Sequence, residues 1–332
     1  MKVVITGAGG FIGRHLAAEI AGGALLRDTR HVEMPASRLV LADRVLPGAP
    51  AGSVPVECLQ LDVTDRDAVA ELVTQDTELV VHLAGLVSGA AEADYDAGLA
   101  VNFDGTRNVL EACRRLPKPP RVVFASSIAV YGVPLPDAIN DDTPMHPTLS
   151  YGAQKRMAEL LLEDATRRRF VDARMLRLPG IVVRPPAPNG ALSAFNSDVI
   201  REPLAGRDYL CPVGPDGVIW IMSIACCVQN LIHAACLSPS FLGARRAFTL
   251  PCLAVSLAEV VDVLRRLGGD AMARHVDFAH DETLREQFAN WPRKLAASRA
   301  EAVGFVRDRS LADLITHYAR SQGLSLPGME KA

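Results

Sequence analysis

The chain has little with which to cross a membrane, grip a polyanion or staple itself together. None of its apolar runs approaches the roughly 18 residues of a membrane span. Its start, MKVVITGAGG, runs into glycine after a short apolar segment, too brief for a secretory signal, so a cytoplasmic protein is expected. The seven cysteines are odd in number and lack paired C-x-x-C spacing. Neither a disulfide framework nor a zinc site is suggested, and Cys226 and Cys227 read as core within an apolar helix. A formal net charge of −3 gives no electrostatic reason to expect nucleic acid or an anionic membrane as partner. Internal repeats and low-complexity segments are also missing. Two residue types are scarce: there are five tyrosines, and lysine stands only at positions 2, 118, 155, 294 and 331. Against that scarcity, Tyr151 and Lys155 in SYGAQK stand four apart.

What is present is globular: 49% hydrophobic and 22% charged residues over 332 positions. The first half alternates strand-like and helix-like segments. Strands are expected at Lys2–Thr6, Leu39–Asp43, Val56–Leu61, Leu79–Leu83, Arg121–Ala125 and Leu176–Leu178. Helices are expected from Phe11 to about Gly22 and near Asp65–Val73, Asp94–Leu116 and Tyr151–Arg168. This order predicts an α/β fold with a doubly wound parallel (Rossmann) sheet. After Leu178 the proline-rich PGIVVRPPAP cannot form a regular helix. Helices then follow near Asn196–Leu204, Ser223–Cys236, Ser256–Leu267, Asp281–Trp291 and Ser310–Ser321. Residues 1–180 read as the nucleotide-binding domain. Residues 181–332 read mainly as a smaller substrate lobe, interleaved with the end of the sheet.

TGAGGFIG follows the first strand and opens the first helix. Gly7, Gly10 and Gly13, with Phe11 and Ile12 between the last two, suit a tight turn, backbone contact with a pyrophosphate and close packing of helix on strand. The helix start presents N–H groups to the phosphates. Asp43 ends the next strand, where a carboxylate accepts ribose hydroxyls of NAD and repels the phosphate of NADP, so NAD is the expected cofactor. Arg44, directly after it, is a feature that would suit a phosphate. Asp43 lies thirty residues after Gly13, which makes residues 23–37 an inserted surface loop. Asp62 and Val63 end the third strand, beside the expected adenine. Leu83, Ala84 and Gly85 end the fourth, where small residues let a cofactor pass; each site also reads as an ordinary strand end.

The fifth strand, RVVFASS, carries Ser126 and Ser127 to the same edge, and Tyr151 follows with Lys155 one helical turn on. A free phenol has a pKa of about 10 and is a poor base; a nearby cation lowers it. Serine, tyrosine and lysine together suit removal of a hydroxyl proton while hydride leaves the carbon. His82, inside a strand pattern, reads as structural.

GAGGFIG, Asp43, HLAG, VNFDGTRNV, FASSIAVYG and YGAQK together resemble the extended short-chain dehydrogenase/reductase superfamily over residues 1–180. The resemblance implies Ser127, Tyr151 and Lys155 as the catalytic triad, Asn102 near the cofactor, and Pro179–Gly180 passing the nicotinamide. LVSGAAEADYDAG, RLPGIVVRPPAPN, IREPLAG and the segments around WIMS, HAAC and NWP resemble the branch that acts on D-erythronate. That branch oxidises the C2 hydroxyl of a four-carbon sugar acid with NAD, giving the 2-oxo acid. Where the branch carries basic residues after Met-Ser, this chain has Ile224, Ala225 and Cys226, which shifts the preferred acid if those positions touch substrate.

A sugar acid needs a cation for its carboxylate, and Arg184 and Arg201 are the candidates. Ser88, Glu92, Asn189, Ser193 and Asn196 are candidates to meet its hydroxyls. Two other readings stand beside this one. A nucleotide-sugar epimerase or dehydratase would use the same triad but return the hydride. A non-catalytic NAD sensor would not need the intact triad. By resemblance to the superfamily, a homodimer through the helices at Asp94–Leu116 and Tyr151–Arg168 is expected.

Overall fold

The computed structural model describes residues 1–27, 32–186, 193–279, 281–286 and 290–328. Six parallel strands come from the first 178 residues: β1 (Lys2–Thr6), β2 (Arg38–Asp43), β3 (Val56–Gln60), β4 (Thr77–His82), β5 (Arg121–Ser127) and β6 (Asp172–Leu178). The lobe adds β7 (Gly180–Val182), β8 (Val218–Ser223), β9 (Ala247–Thr249) and β10 (Leu253–Ser256). The main sheet has seven strands in the order β9-β6-β5-β4-β1-β2-β3, all parallel. Strand order reverses between β1 and β4, and ligands of such sheets bind in the crevice at that point.

The strands inside the sheet bury both faces, which is why they read as nearly continuous apolar runs, whereas the edge strand β3 is only half-buried. Val3 and Ile5 of β1 enter the core on one face, and Val4 enters the core on the other. Leu39/Leu41 against Val40, and Val123 against Val122 and Phe124, repeat this alternation. Helices α1 (Phe11–Ala21) and α8 (Ile224–Cys236) cover the first face. Helices α2 (Arg66–Leu72), α5 (Gly105–Arg114) and α6 (Ser150–Arg167) belong to the second. Residues well beyond position 180 therefore return to the main sheet, through α8 and β9. A third core, around Val199, Ile219, Leu264 and Ile315, belongs to the lobe. There β7, β8 and β10 form a three-stranded sheet against α7 (Phe195–Leu204) and α9 (Leu257–Gly268).

Four segments differ from the sequence reading. After α3 (Ser88–Ala93), the span 94–116 holds α4 (Tyr95–Leu99) and α5, joined by a π-helical turn over Ala100–Asp104. The proline-rich segment contains strand β7, stabilised by pairing with β8. The expected loop at 23–37 contains a short antiparallel pairing of Leu26–Arg27 with Glu33–Met34, and Leu26 is fully buried. Of the helix expected at Asp281–Trp291, Glu282–Leu284 forms one turn, and residues 287–289 lie outside the described residues. Among the described residues, no helix is long and apolar enough to cross a membrane.

One buried ionic network ties α6 to the sheet. Glu159 is wholly buried and accepts two bonds from Arg177 of β6, both at 2.9 Å, and one from Ser126 Oγ of β5 at 2.6 Å. Arg156 adds a third cationic contact at 2.9 Å. Removing one partner of such a pair strands a buried charge, whereas the intact pair roughly offsets its own desolvation. Arg177→Met is expected to cost about 3 kcal/mol. The measurement is a urea midpoint at unchanged m-value; a shift within error would show that Glu159 does not depend on Arg177.

Candidate active site

A cavity of about 370 Å³ opens at the carboxyl edge of the sheet. One end is the glycine turn. Gly7 has φ of +73°, and a Cβ there would stand 2.5 Å from the Ala84 nitrogen. A Cβ on Gly13 would stand 2.2 Å from the Gly7 carbonyl oxygen. Gly13 needs glycine for space, and Gly7 for both the backbone angle and space. Gly10, Phe11 and Ile12 line the cavity where α1 begins. The α1 start has no side-chain cap and no acidic residue in its first turn, so its N–H groups and positive dipole end remain for an anion. Asp43 stands beside this turn, its Oδ2 accepting the Gly9 N–H at 2.9 Å. Bare backbone, an uncapped helix start and one fixed carboxylate fit a dinucleotide.

At the other end, β5 delivers Ser127 and α6 delivers Tyr151 and Lys155, all lining the cavity. Ser127 is hydrogen-bonded to the Tyr151 phenol. The Lys155 ammonium is 4.7 Å from the centroid of Phe124 and 5.7 Å from that of Tyr151. Burial lowers the Lys155 pKa to about 8. Gly85 makes room for this amine: a Cβ there would lie 3.2 Å from Nζ and 3.0 Å from Asn102 Oδ1. The expectation that Lys155 lowers the Tyr151 pKa needs correction. Burial raises it, and the opposing influences are the Ser127 hydrogen bond and the charge of Arg184.

Leu83, Gly85, Ser88, Pro179, Arg184 and Ser193 also line the cavity. Ala84 sits behind the glycine turn. Asn102 does not reach the cavity; it is fully buried and clamps the loop after β4, accepting the Leu86 N–H at 2.8 Å and donating to the Leu86 carbonyl at 3.1 Å. Asp62 is exposed and its Oδ1 accepts from Thr64 N–H and Oγ1 at 2.9 and 2.8 Å, while Val63 is buried against Gly105; neither lines the cavity. Arg201 is excluded by its own neighbours. Its fork binds Asp198 at 2.5 Å, Glu202 at 2.9 Å and the Arg184 carbonyl at 2.6 Å. Glu92 serves α6, accepting the Ser150 N–H at 2.9 Å at its start. Asn189 lies outside the described residues.

Ile224, Ala225 and Cys226 do not line the cavity; they begin α8, and Cys226 is buried. His82 is structural: Nδ1 is 2.6 Å from Thr6 Oγ1 and Nε2 is 3.0 Å from Thr106 Oγ1. Burial and the nearby Lys155 hold its pKa near 3, so it stays neutral. The residues that sequence reasoning missed are Trp220 and Trp291, whose rings are 5.0 Å apart in the cavity wall. They are the only two tryptophans in the chain, and that rarity was the available signal.

The glycine turn with the uncapped start of α1 at one end, and Ser127, Tyr151 and Lys155 at the other, fit one class, a nicotinamide-dependent oxidoreductase on a Rossmann sheet. Residues 3–216 match the NAD dependent epimerase/dehydratase family, and the chain belongs to that family, with NAD as its cofactor. It is 42% identical to D-erythronate dehydrogenase of Cupriavidus necator, covering 98% of this chain and 100% of that one. It is 38% identical to D-erythronate dehydrogenase of Haemophilus influenzae, covering 96% and 98%. The crystal structure of the nucleoside-diphosphate-sugar epimerase from Agrobacterium tumefaciens aligns with a TM-score of 0.89 at 35% identity, covering 97% of this chain and 94% of that one.

The lowered pKa of Lys155 has a measurable consequence. Between about pH 8 and 10.5 the unfolded lysine holds a proton that the folded one has lost. Stability contributed by this group therefore rises with pH across that window, by about 2–3 kcal/mol. The difference in unfolding free energy between wild type and Lys155→Met is expected to follow this rise in the cofactor-free protein. A difference that stays flat from pH 7.5 to 10.5 would mean that burial does not perturb the amine.

Proposed function

We propose that the protein is an NAD-dependent dehydrogenase that oxidises the C2 hydroxyl of a four-carbon sugar acid, D-erythronate, to the 2-oxo acid. The observation that carries this reading is the position of Arg184. It lines the same cavity as Tyr151, close enough that each charge affects the other's titration. In a 2-hydroxy acid the carboxylate is bonded to the carbon that is oxidised. A cation beside the base suits that connectivity. Arg184 Nε donates to the Ile181 carbonyl at 3.1 Å, which fixes the fork, and among the described residues no hydrogen bond takes its outer nitrogens, so they suit a carboxylate.

In this reading Arg184 binds the carboxylate and Ser127 donates to the C2 oxygen. Tyr151 takes the hydroxyl proton, and Lys155 binds ribose hydroxyls of the cofactor. Gly7, Gly10, Phe11, Ile12 and Gly13 hold the pyrophosphate and Asp43 the adenosine ribose. NAD, when bound, accepts the hydride. Ser88 and Ser193 face the substrate, the latter from the lobe built mainly by residues 181–332. The relatives' names support the acid, and the single Arg184 clamp supports a small anionic substrate.

A second reading, a nucleotide-sugar epimerase, draws support from the 35% identity to the Agrobacterium structure. The two differ in whether reduced cofactor leaves. With NAD and D-erythronate, NADH is expected to accumulate in step with the acid consumed. Tyr151→Phe should keep NAD affinity and lose about 10²- to 10⁴-fold in kcat. No NADH from any four- or five-carbon sugar acid would sink the dehydrogenase reading, and near-wild-type turnover by Tyr151→Phe would sink its mechanism.

A homodimer belongs to the same proposal. Met157 and Leu160 of α6, and Tyr95 of α4, are 38%, 50% and 57% exposed. Apolar side chains standing out on α4 and on α6, which also carries Tyr151 and Lys155, suit burial against a second copy. Leu160→Arg is expected to give a monomer by light scattering, where wild type gives twice the chain mass. A wild-type monomer would remove this part.

A further inference from the structure

Asn196 stands in the first turn of α7 and lines the cavity with Arg184 and Ser193. It is only 4% exposed. Its side-chain amide makes no hydrogen bond among the described residues, and Oδ1 is buried without a partner. Buried polar atoms are almost always paired, so an orphaned amide in a cavity wall points to a ligand group. Thr77, Arg174 and Thr316 also carry orphaned buried atoms, but none of those residues lines the cavity.

Two neighbours hold the amide in place. A Cβ on Gly180 would stand 2.7 Å from Asn196 Nδ2, so a bare backbone at 180 makes room for the amide at the wall. Ser197 Oγ accepts the Arg184 N–H at 3.0 Å, which latches the first turn of α7 to the segment that carries Arg184. Anion clamp and amide are therefore held in fixed relation, one on each side of that latch.

We propose that Asn196 is a specificity-determining residue: it hydrogen-bonds the substrate hydroxyl next to the oxidised carbon, so the site selects polyhydroxy acids over 2-hydroxy acids that lack this group. The proposal rests on the sugar-acid reading above. A hydroxyl both donates and accepts, so it matches whichever end of the amide meets it. An acid without that hydroxyl leaves the amide buried and dry, which is the more discriminating kind of mismatch.

The test compares D-erythronate with its 3-deoxy analogue of the same C2 configuration. Wild type is expected to favour D-erythronate by about 100-fold or more in kcat/KM. Asn196→Leu should lose about 10- to 100-fold on D-erythronate and little on the analogue, collapsing the ratio. Gly180→Ala, which pushes a methyl group into the amide, should move the ratio in the same direction and decides the matter if Asn196→Leu does not fold. Acid affinity is read separately by tryptophan fluorescence in a Tyr151→Phe background with NAD present, since both tryptophans line the cavity. There the Asn196→Leu change should weaken D-erythronate and spare the analogue, with NAD affinity unchanged. An unchanged ratio in folded, NAD-binding variants overturns the role of Asn196 and leaves the dehydrogenase reading standing. Failure of wild type to oxidise any sugar acid overturns both.

Discussion

A positive charge kept in an apolar interior is the constraint around which this site is arranged. Lys155 is 3% exposed, lies over the ring of Phe124, and has no anion to pair with among the described hydrogen bonds and ion pairs. Its neighbours yield space to it rather than neutralise it. Gly85 gives up a side chain, His82 is held neutral, and Asn102 spends its amide on the loop backbone. An ammonium carries three N–H donors, and hydroxyl oxygens of a ligand can accept them. Burial raises the phenol and lowers the amine for the same reason, since each charged form loses water.

Such a centre needs a rigid frame, and α6 is fixed along its length. At its start the Glu92 carboxylate meets the Ser150 N–H, where an anion also suits the helix dipole. One turn past Lys155, Glu159 binds Ser126 of β5 and Arg177 of β6. Ser126 is the neighbour of Ser127, so the same network that anchors the helix also anchors the strand end that faces it. Tyr151, Lys155 and Ser127 are thereby set by one buried cluster.

Much of this was legible in the chain itself. Strands buried on both faces write apolar runs, and glycines at 7 and 13 announce a turn too tight for side chains. The Tyr151–Lys155 spacing placed both groups on one helix face, but spacing carries no depth, and depth decided the direction of the phenol's shift. The competition between Arg184 and Arg201 was partly written down: Asp198 and Glu202 flank Arg201 on its own helix and consume its donors. Glu92 could not be assigned from sequence because its partner is 58 residues away. Asn102 was assigned to the cofactor by resemblance alone; it stands in the π turn over Ala100–Asp104, and its amide is taken by the Leu86 backbone, a partner 16 residues away that no local pattern announces.

That turn over Ala100–Asp104 adds one residue to what would otherwise be a regular rod. Each residue of an α-helix rotates the chain by about 100°, so deletion of a single position here would regularise the helix and swing Asn102 off Leu86. An uninterrupted α-helix is the commoner form of the backbone, but such a shortening would release the loop that carries Gly85 past the amine. The irregularity is thus a place where a more regular backbone and a working site pull in opposite directions.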